Sequence, residues 1–125
     1  QGLNATTYGG DFRTDPIPGG HDLISLVRIL HDHDDALVMT LLRKVHAALP
    51  PGGTLLIAEP MAGTKGAEAI ADAYFGFYLL AMGTGKARTA KAIGAMALAA
   101  GFDEWRETPT ALPIITRLIR VTRKV

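Results

Sequence analysis

Two apolar runs joined by one amphipathic helix occupy the middle of this chain and leave few folds open to it. Asp22 to Leu30 is rich in branched residues and predicts a strand buried on both faces. Asp34 or Asp35 then starts a helix, with acidic groups suited to its positive end. Val38, Leu41, Leu42, Val45 and Leu49 recur at helical spacing, and Pro50-Pro51-Gly52-Gly53 stops the helix. Thr54 to Ala58 predicts a second short buried strand. Strand, helix and strand make a βαβ unit, which requires parallel strands and a right-handed crossover.

The flanking segments are read the same way. Gly9 to Phe12 and Asp15 to Gly20 are turn-like. Ala67 to Met82 predicts a helix carrying Tyr74, Phe75, Phe77 and Tyr78, which cannot all face one side. Some belong to a core; the reading for the group is mostly structural, with the lining of a long apolar channel as the alternative. Thr89 caps a further helix that ends at Ala100-Gly101. Phe102 to Val125 alternates as two strands with Pro109 and Pro113 between them, an antiparallel hairpin closing one side of the sheet. The fold class is α/β, a mostly parallel sheet ending in that hairpin. Three helices are too few to cover both faces of a parallel sheet, so the chain reads as the second half of a doubly wound domain.

Composition removes whole classes of function. At 125 residues the chain holds one small domain, and its formal net charge of +1 offers nucleic acid no electrostatic footing. Arg117, Arg120, Arg123 and Lys124 read as the wet side or end of an edge strand rather than a phosphate groove. The absence of cysteine excludes disulfides and thiolate zinc sites. Gln1 to Asp15 is polar and glycine-rich, unlike a signal peptide, and Ala69 to Met82 is too short to span a bilayer. A cytoplasmic protein is the default, with peripheral membrane contact by a greasy surface left open.

Chemistry concentrates where the two central strands end. Leu30-His31-Asp32-His33-Asp34-Asp35 sets an imidazole at the end of one strand, and Ala58-Glu59-Pro60 sets a carboxylate at the end of its neighbour. A histidine with a carboxylate behind it is suited to removing a proton from a substrate hydroxyl. His31, His33 and Asp35 also fit the H-x-H-x-D pattern of a metal-dependent hydrolase. Ala36 stands where that motif continues with histidine, and no later stretch supplies another cluster. His21 and His46 read as solvated residues of a loop and a helix.

These residues resemble the C-terminal part of class I S-adenosylmethionine-dependent O-methyltransferases. Gly9-Gly10-Asp11-Phe12, Ile29-Leu30-His31-Asp32, Leu49-Pro50-Pro51-Gly52-Gly53, Ile57-Ala58-Glu59, Gly85-Lys86-Ala87-Arg88-Thr89 and Ala99-Ala100-Gly101-Phe102 follow the family's order. The wording from Ser25 to Asp35, from Ala58 to Gly63 and from Asp72 to Gly83 is nearest to bacterial carotenoid O-methyltransferases, which methylate the tertiary hydroxyl of acyclic carotenoids.

The resemblance implies a Rossmann-like methyltransferase domain of which residues 1–125 are the C-terminal part, with the N-terminal half of the fold and a dimerisation domain outside it. It implies S-adenosylmethionine as methyl donor, a hydroxylated small molecule as acceptor, and a homodimeric parent enzyme. His31 aligns on the general base and Glu59 on the carboxylate that orients it. Asp11 and Phe12 align on residues that contact the adenine, by hydrogen bond and by stacking. A second acid that often flanks the base is replaced by Ala87, a cofactor-contacting lysine by Val27, and a tryptophan by His33, which then shapes the pocket. Neither the glycine-rich loop that holds the methionine part of the cofactor nor the acid that holds its ribose is found. A non-catalytic fragment of such an enzyme is therefore the competing expectation.

Overall fold

The computed structural model describes residue 2, residues 4–69, residue 73 and residues 75–125. Its elements are β1 (Leu23–Val27), a 3₁₀ turn (Leu30–Asp32), α1 (Asp35–Ala48), β2 (Thr54–Glu59), α2 (Phe75–Met82), α3 (Ala90–Ala99), β3 (Glu104–Thr108) and β4 (Arg117–Thr122). The sheet order is β1-β2-β4-β3. The β1–β2 pair is parallel, joined through α1, and β4 pairs antiparallel with both β2 and β3. The βαβ unit and the closing hairpin are thus both present, in the order expected.

Local chemistry explains the boundaries. Asp34 caps α1 by accepting from the Leu37 N–H at 2.8 Å. At the other end of α1, Arg123 donates to the carbonyls of His46 and Leu49, satisfying groups the helix leaves without partners. Gly52 then turns the chain at φ +83°. Thr89 caps α3 by accepting from the Ala92 N–H.

One face of the sheet carries the core. Val38, Leu41, Leu42 and Val45 of α1 and Ile93 and Ala97 of α3 pack with Leu55, Ile57, Ile119 and Val121. Trp105 lies against α3 at Gly94, where an added Cβ would sit 2.2 Å from the indole. On the other face, Leu23 and Val27 are 52% and 58% exposed, and Arg120 is exposed beside them in register with Ser25 and Leu56. This half-covered sheet is what a shortage of helices predicts.

Several expectations are corrected. The first strand is an edge strand and not a fully buried one; Ile24 and Leu26 face the core and their neighbours face out. It also ends at Val27 rather than running to Leu30, because Arg28 adopts φ +55° and the chain leaves the sheet for the 3₁₀ turn. Arg117 and Arg120 belong to an inner strand, not an edge. Arg117 makes a two-pronged pair with Glu107 at 2.7 Å, which holds the Glu107 carboxyl below the usual range. His46 is half-buried, edge-on against Phe102 at 5.0 Å. Of the helix expected over 67–82, α2 is the α-helical part and residues 68, 69 and 73 are in π-helical conformation; residues 70–72, Tyr74 and the Phe75 side chain lie outside the described residues. Among the described residues, no helix is long and apolar enough to cross a membrane.

Candidate active site

The parallel pairing of β1 with β2 brings the two strand ends together. The Arg28 N–H donates to the Ala58 carbonyl at 2.9 Å, one step beyond the last paired residues of β1. From there the chain rises into the turn that carries His31. Glu59, the last residue of β2, is fully buried, and its Oε2 accepts from the Leu30 N–H at 3.1 Å. That bond fastens the end of β2 to the turn.

The imidazole of His31 is 3% exposed and sits between two carboxylates. Nδ1 lies 3.6 Å from Glu59 Oε2, and Nε2 lies 3.3 Å from Asp32 Oδ1. The first is an ion-pair distance rather than a hydrogen bond. Catalytic contacts in ligand-free sites are commonly long and tighten when substrate binds. Among the described residues, Glu59 Oε1 and Asp32 Oδ1 are buried without a hydrogen-bond partner. The oxygens that face the ring are Glu59 Oε2 and Asp32 Oδ1.

Two features here escaped the sequence reading. Asp32 takes the second flank of His31 from the adjacent position in the chain, whereas Ala87 lines a cavity. Arg88 is buried and donates to the carbonyls of Leu30 and His33, which lie on either side of His31. Its pairing with Asp35, together with the hydrogen bond from Lys86, holds the Asp35 carboxyl below its usual value, the Lys86 bond being the larger cause. Nothing in the residue pattern marks Arg88 as buried; Leu30, His33 and Asp35, to which it donates, are more than fifty positions away along the chain.

The loop that follows α2 presses on the same turn. Gly85 has φ +94°, and a Cβ there would stand 2.2 Å from the His31 carbonyl oxygen. Thr84 donates to the Asp32 carbonyl at 3.2 Å. Between this loop and Gly76, Leu79 and Leu80 of α2 lies a cavity of about 430 Å³.

A second cavity, about 590 Å³, is lined by Tyr8, Asp11, Phe12 and Ile17 among others. Its turn is tied to α1 by Lys44, whose ammonium donates to the carbonyls of Phe12, Arg13 and Asp15. Asp11 Oδ1 accepts from the Arg13 N–H at 2.9 Å. The Phe12 ring is half-buried, 5.3 Å from the His33 ring. So His31 and Glu59 meet at one point, while Asp11 and Phe12 form a separate wall linked to it through His33.

The metal-site pattern does not assemble. Among the described residues, no three histidine or acidic side chains converge where an ion would be held, and Asp35 is engaged by Lys86 and Arg88.

Comparison with known proteins identifies the family. The profile of the O-methyltransferase domain matches residues 3–103. The chain is 49% identical over 114 residues to the demethylspheroidene O-methyltransferase of Rhodobacter capsulatus, covering 91% of this chain and 29% of that protein. It is 42% identical over 118 residues to the enzyme of the same name from Cereibacter sphaeroides, covering 94% and 31%. It therefore spans about a third of the length of these relatives. Among solved structures it resembles human N-acetylserotonin methyltransferase in complex with SAM, with a TM-score of 0.76 and 27% identity over 94% of this chain and 33% of that one.

Proposed function

This chain belongs to the O-methyltransferase domain family, and on that premise we propose that it forms the C-terminal part of an S-adenosylmethionine-dependent O-methyltransferase with His31 as general base. The observation that carries the reading is the buried imidazole held between Glu59 and Asp32 at the mouth of the βαβ unit. In the reaction, His31 takes the acceptor hydroxyl proton. Glu59, at the Nδ1 side, fixes the ring tautomer and stabilises the imidazolium that forms. Base catalysis of this kind contributes roughly 10²–10⁴-fold. The rest of the rate depends on orienting the two reactants.

The sulfonium cofactor supplies a methyl group already bound to a good leaving group, so a positioned base is the main chemical requirement. Residues on the wall of the larger cavity suit its adenine. Asp11 offers a carboxylate to the exocyclic amine, and Phe12 offers an aromatic face. The acceptor belongs beneath the 83–87 loop. Leu79 and Leu80 make that cavity apolar, as a hydroxylated acyclic carotenoid requires. Phe77 and Leu80 stand 73% and 76% exposed on α2 and suit entry of such a substrate from a membrane surface, or contact with the second subunit of a homodimer.

The exposed sheet face at Leu23 and Val27 favours a further point: these 125 residues act with the other half of the domain, which covers that face and holds the remainder of the cofactor. The test is a chimaera in which this chain replaces the matching segment of the Rhodobacter capsulatus relative. It should methylate demethylspheroidene, and His31→Ala should abolish turnover while leaving calorimetric binding of S-adenosylhomocysteine within threefold. Turnover that survives His31→Ala rules out the assignment. The chain alone should not bind S-adenosylhomocysteine in the micromolar range; binding there would show that it needs no other half.

A further inference from the structure

We propose that Arg88 is a positioning residue of this site, a clamp that sets the orientation of the His31 imidazole; the inference rests on the reading of His31 as the base. Arg88 is the only buried lysine or arginine among the described residues. Its guanidinium uses every donor it has. Nε and Nη2 donate to Asp35 Oδ1 at 2.9 and 2.7 Å. Nη1 donates to the Leu30 carbonyl at 2.8 Å and, more weakly, to the Lys86 carbonyl at 3.4 Å. Nη2 also donates to the His33 carbonyl at 2.8 Å.

The turn needs such a clamp because it barely holds itself. Its own backbone bonds, Asp32 N–H to the Ile29 carbonyl and His33 N–H to the Leu30 carbonyl, are both 3.3 Å, at the long end of the useful range. Leu30, the residue before the base, is instead gripped from outside at both of its backbone polar groups. Glu59 takes its N–H and Arg88 takes its carbonyl. The second Arg88 carbonyl, that of His33, lies beyond the base. A planar fork bridges both; a lysine ammonium, one compact charge, cannot hold the two directions together.

Arg88 also follows directly on the loop that walls the smaller cavity. Gly85 leaves no room for a Cβ beside the His31 carbonyl, and Thr84 bonds the Asp32 carbonyl. Cavity wall and base turn are thereby one fastened unit, with Asp35 at the start of α1 as its anchor. Displacement of a reacting group by about 1 Å costs on the order of 10²-fold in rate.

The experiment pairs two readouts on Arg88→Lys and Arg88→Met. The first is the imidazole NMR spectrum of the full chain, with the His31 signals identified by His31→Gln. The second is kcat and KM in the chimaera described above. In both variants the His31 ring signals should shift or broaden while those of exposed His21 stay in place. Turnover should fall roughly 10–100-fold in kcat with KM within about threefold. A residue that only supports the fold would lower the melting temperature and leave those two readouts alone.

Unchanged His31 signals and unchanged kcat in folded variants overturn the proposal. Should both variants unfold, Asp35→Asn decides, since Asp35 is solvent-facing and its loss frees the anchor; its His31 signals must move in the same direction, and no movement overturns the clamp. A wild-type chimaera without turnover would count against the methyltransferase reading, whereas the ring spectra judge Arg88 independently of it.

Discussion

Glu59→Gln separates catalysis from stability in one substitution. Glutamine has the same shape, and its amide oxygen keeps the bond from the Leu30 N–H, so the change removes a charge and little else. That charge faces Nδ1 of His31 at 3.6 Å. With an effective dielectric of about 20, a carboxylate and an imidazolium at such a separation attract by about 4 kcal/mol. This attraction exists only once the ring has accepted its proton, so its loss falls on the transition state. At 1.36 kcal/mol per tenfold, the ceiling is roughly 10³-fold, and a drop of about 10²–10³ in kcat is expected. KM should hold, since Glu59 lines neither cavity.

Stability should move the other way. Glu59 is fully buried, with one oxygen unpartnered among the described residues. A buried ion costs several kcal/mol of desolvation, and an amide far less. A net gain of about 1 kcal/mol raises Tm by about 4 °C in a domain of this size. Calorimetric melting at pH 8 and steady-state methyl transfer in the chimaera are the two assays. A Glu59→Gln protein that melts lower and keeps its kcat would refute the reasoning, because the carboxylate would then be a structural acceptor and nothing more.

Gly85→Ala should raise KM for the acceptor at least tenfold, since a Cβ 2.2 Å from the His31 carbonyl and 2.7 Å from the Asp32 carbonyl carbon forces the loop away from the turn. The positive φ adds about 1–2 kcal/mol of strain, visible as a lower Tm. Gly94→Ala gains about 1 kcal/mol of helix propensity but drives a methyl into the Trp105 ring, an overpacking worth about 1–3 kcal/mol; the expected net is destabilisation with a red shift of tryptophan emission. Acid should loosen the Arg88 clamp. Asp35 titrates below its usual value because Lys86 and Arg88 bind it, so its stabilisation is full above the ordinary aspartate range and lost as pH falls through the lowered value. Melting curves taken from pH 5 to pH 2 should therefore show a loss that Asp35→Asn lacks, and high salt should shrink it because Asp35 is half exposed.

What the residues disclosed in advance was local. The spacing of Val38, Leu41, Leu42 and Val45, the caps at Asp34 and Thr89, and the prolines between β3 and β4 each act within a few positions, and each element formed where expected. His31 and Glu59 were legible for the same reason, since adjacent parallel strands must end side by side. The rest depended on distant partners. A branched run such as Leu23–Val27 has the composition of a central strand, and only the absence of a neighbour on one side among the described residues makes it an edge. Arg28 turning at φ +55° carries no residue-type signal of the kind glycine or asparagine gives. His46 looked solvated because Phe102, its partner, lies far along the chain, between α3 and β3.

Where the chain puts its buried charges bears on what the turn is for. Among the described residues, Glu59 is the only buried acid and Arg88 the only buried lysine or arginine. The two do not pair with each other. One binds the N–H of Leu30 and the other its carbonyl, so both act on the short segment that aims His31. Apolar residues of similar volume in place of buried ionic groups are often neutral or stabilising by 1–4 kcal/mol, so stability alone gives little reason to bury either group. Residues that cost stability yet converge on one three-residue turn are explained by what they hold in place. The orientation of the imidazole is the property that both of them serve.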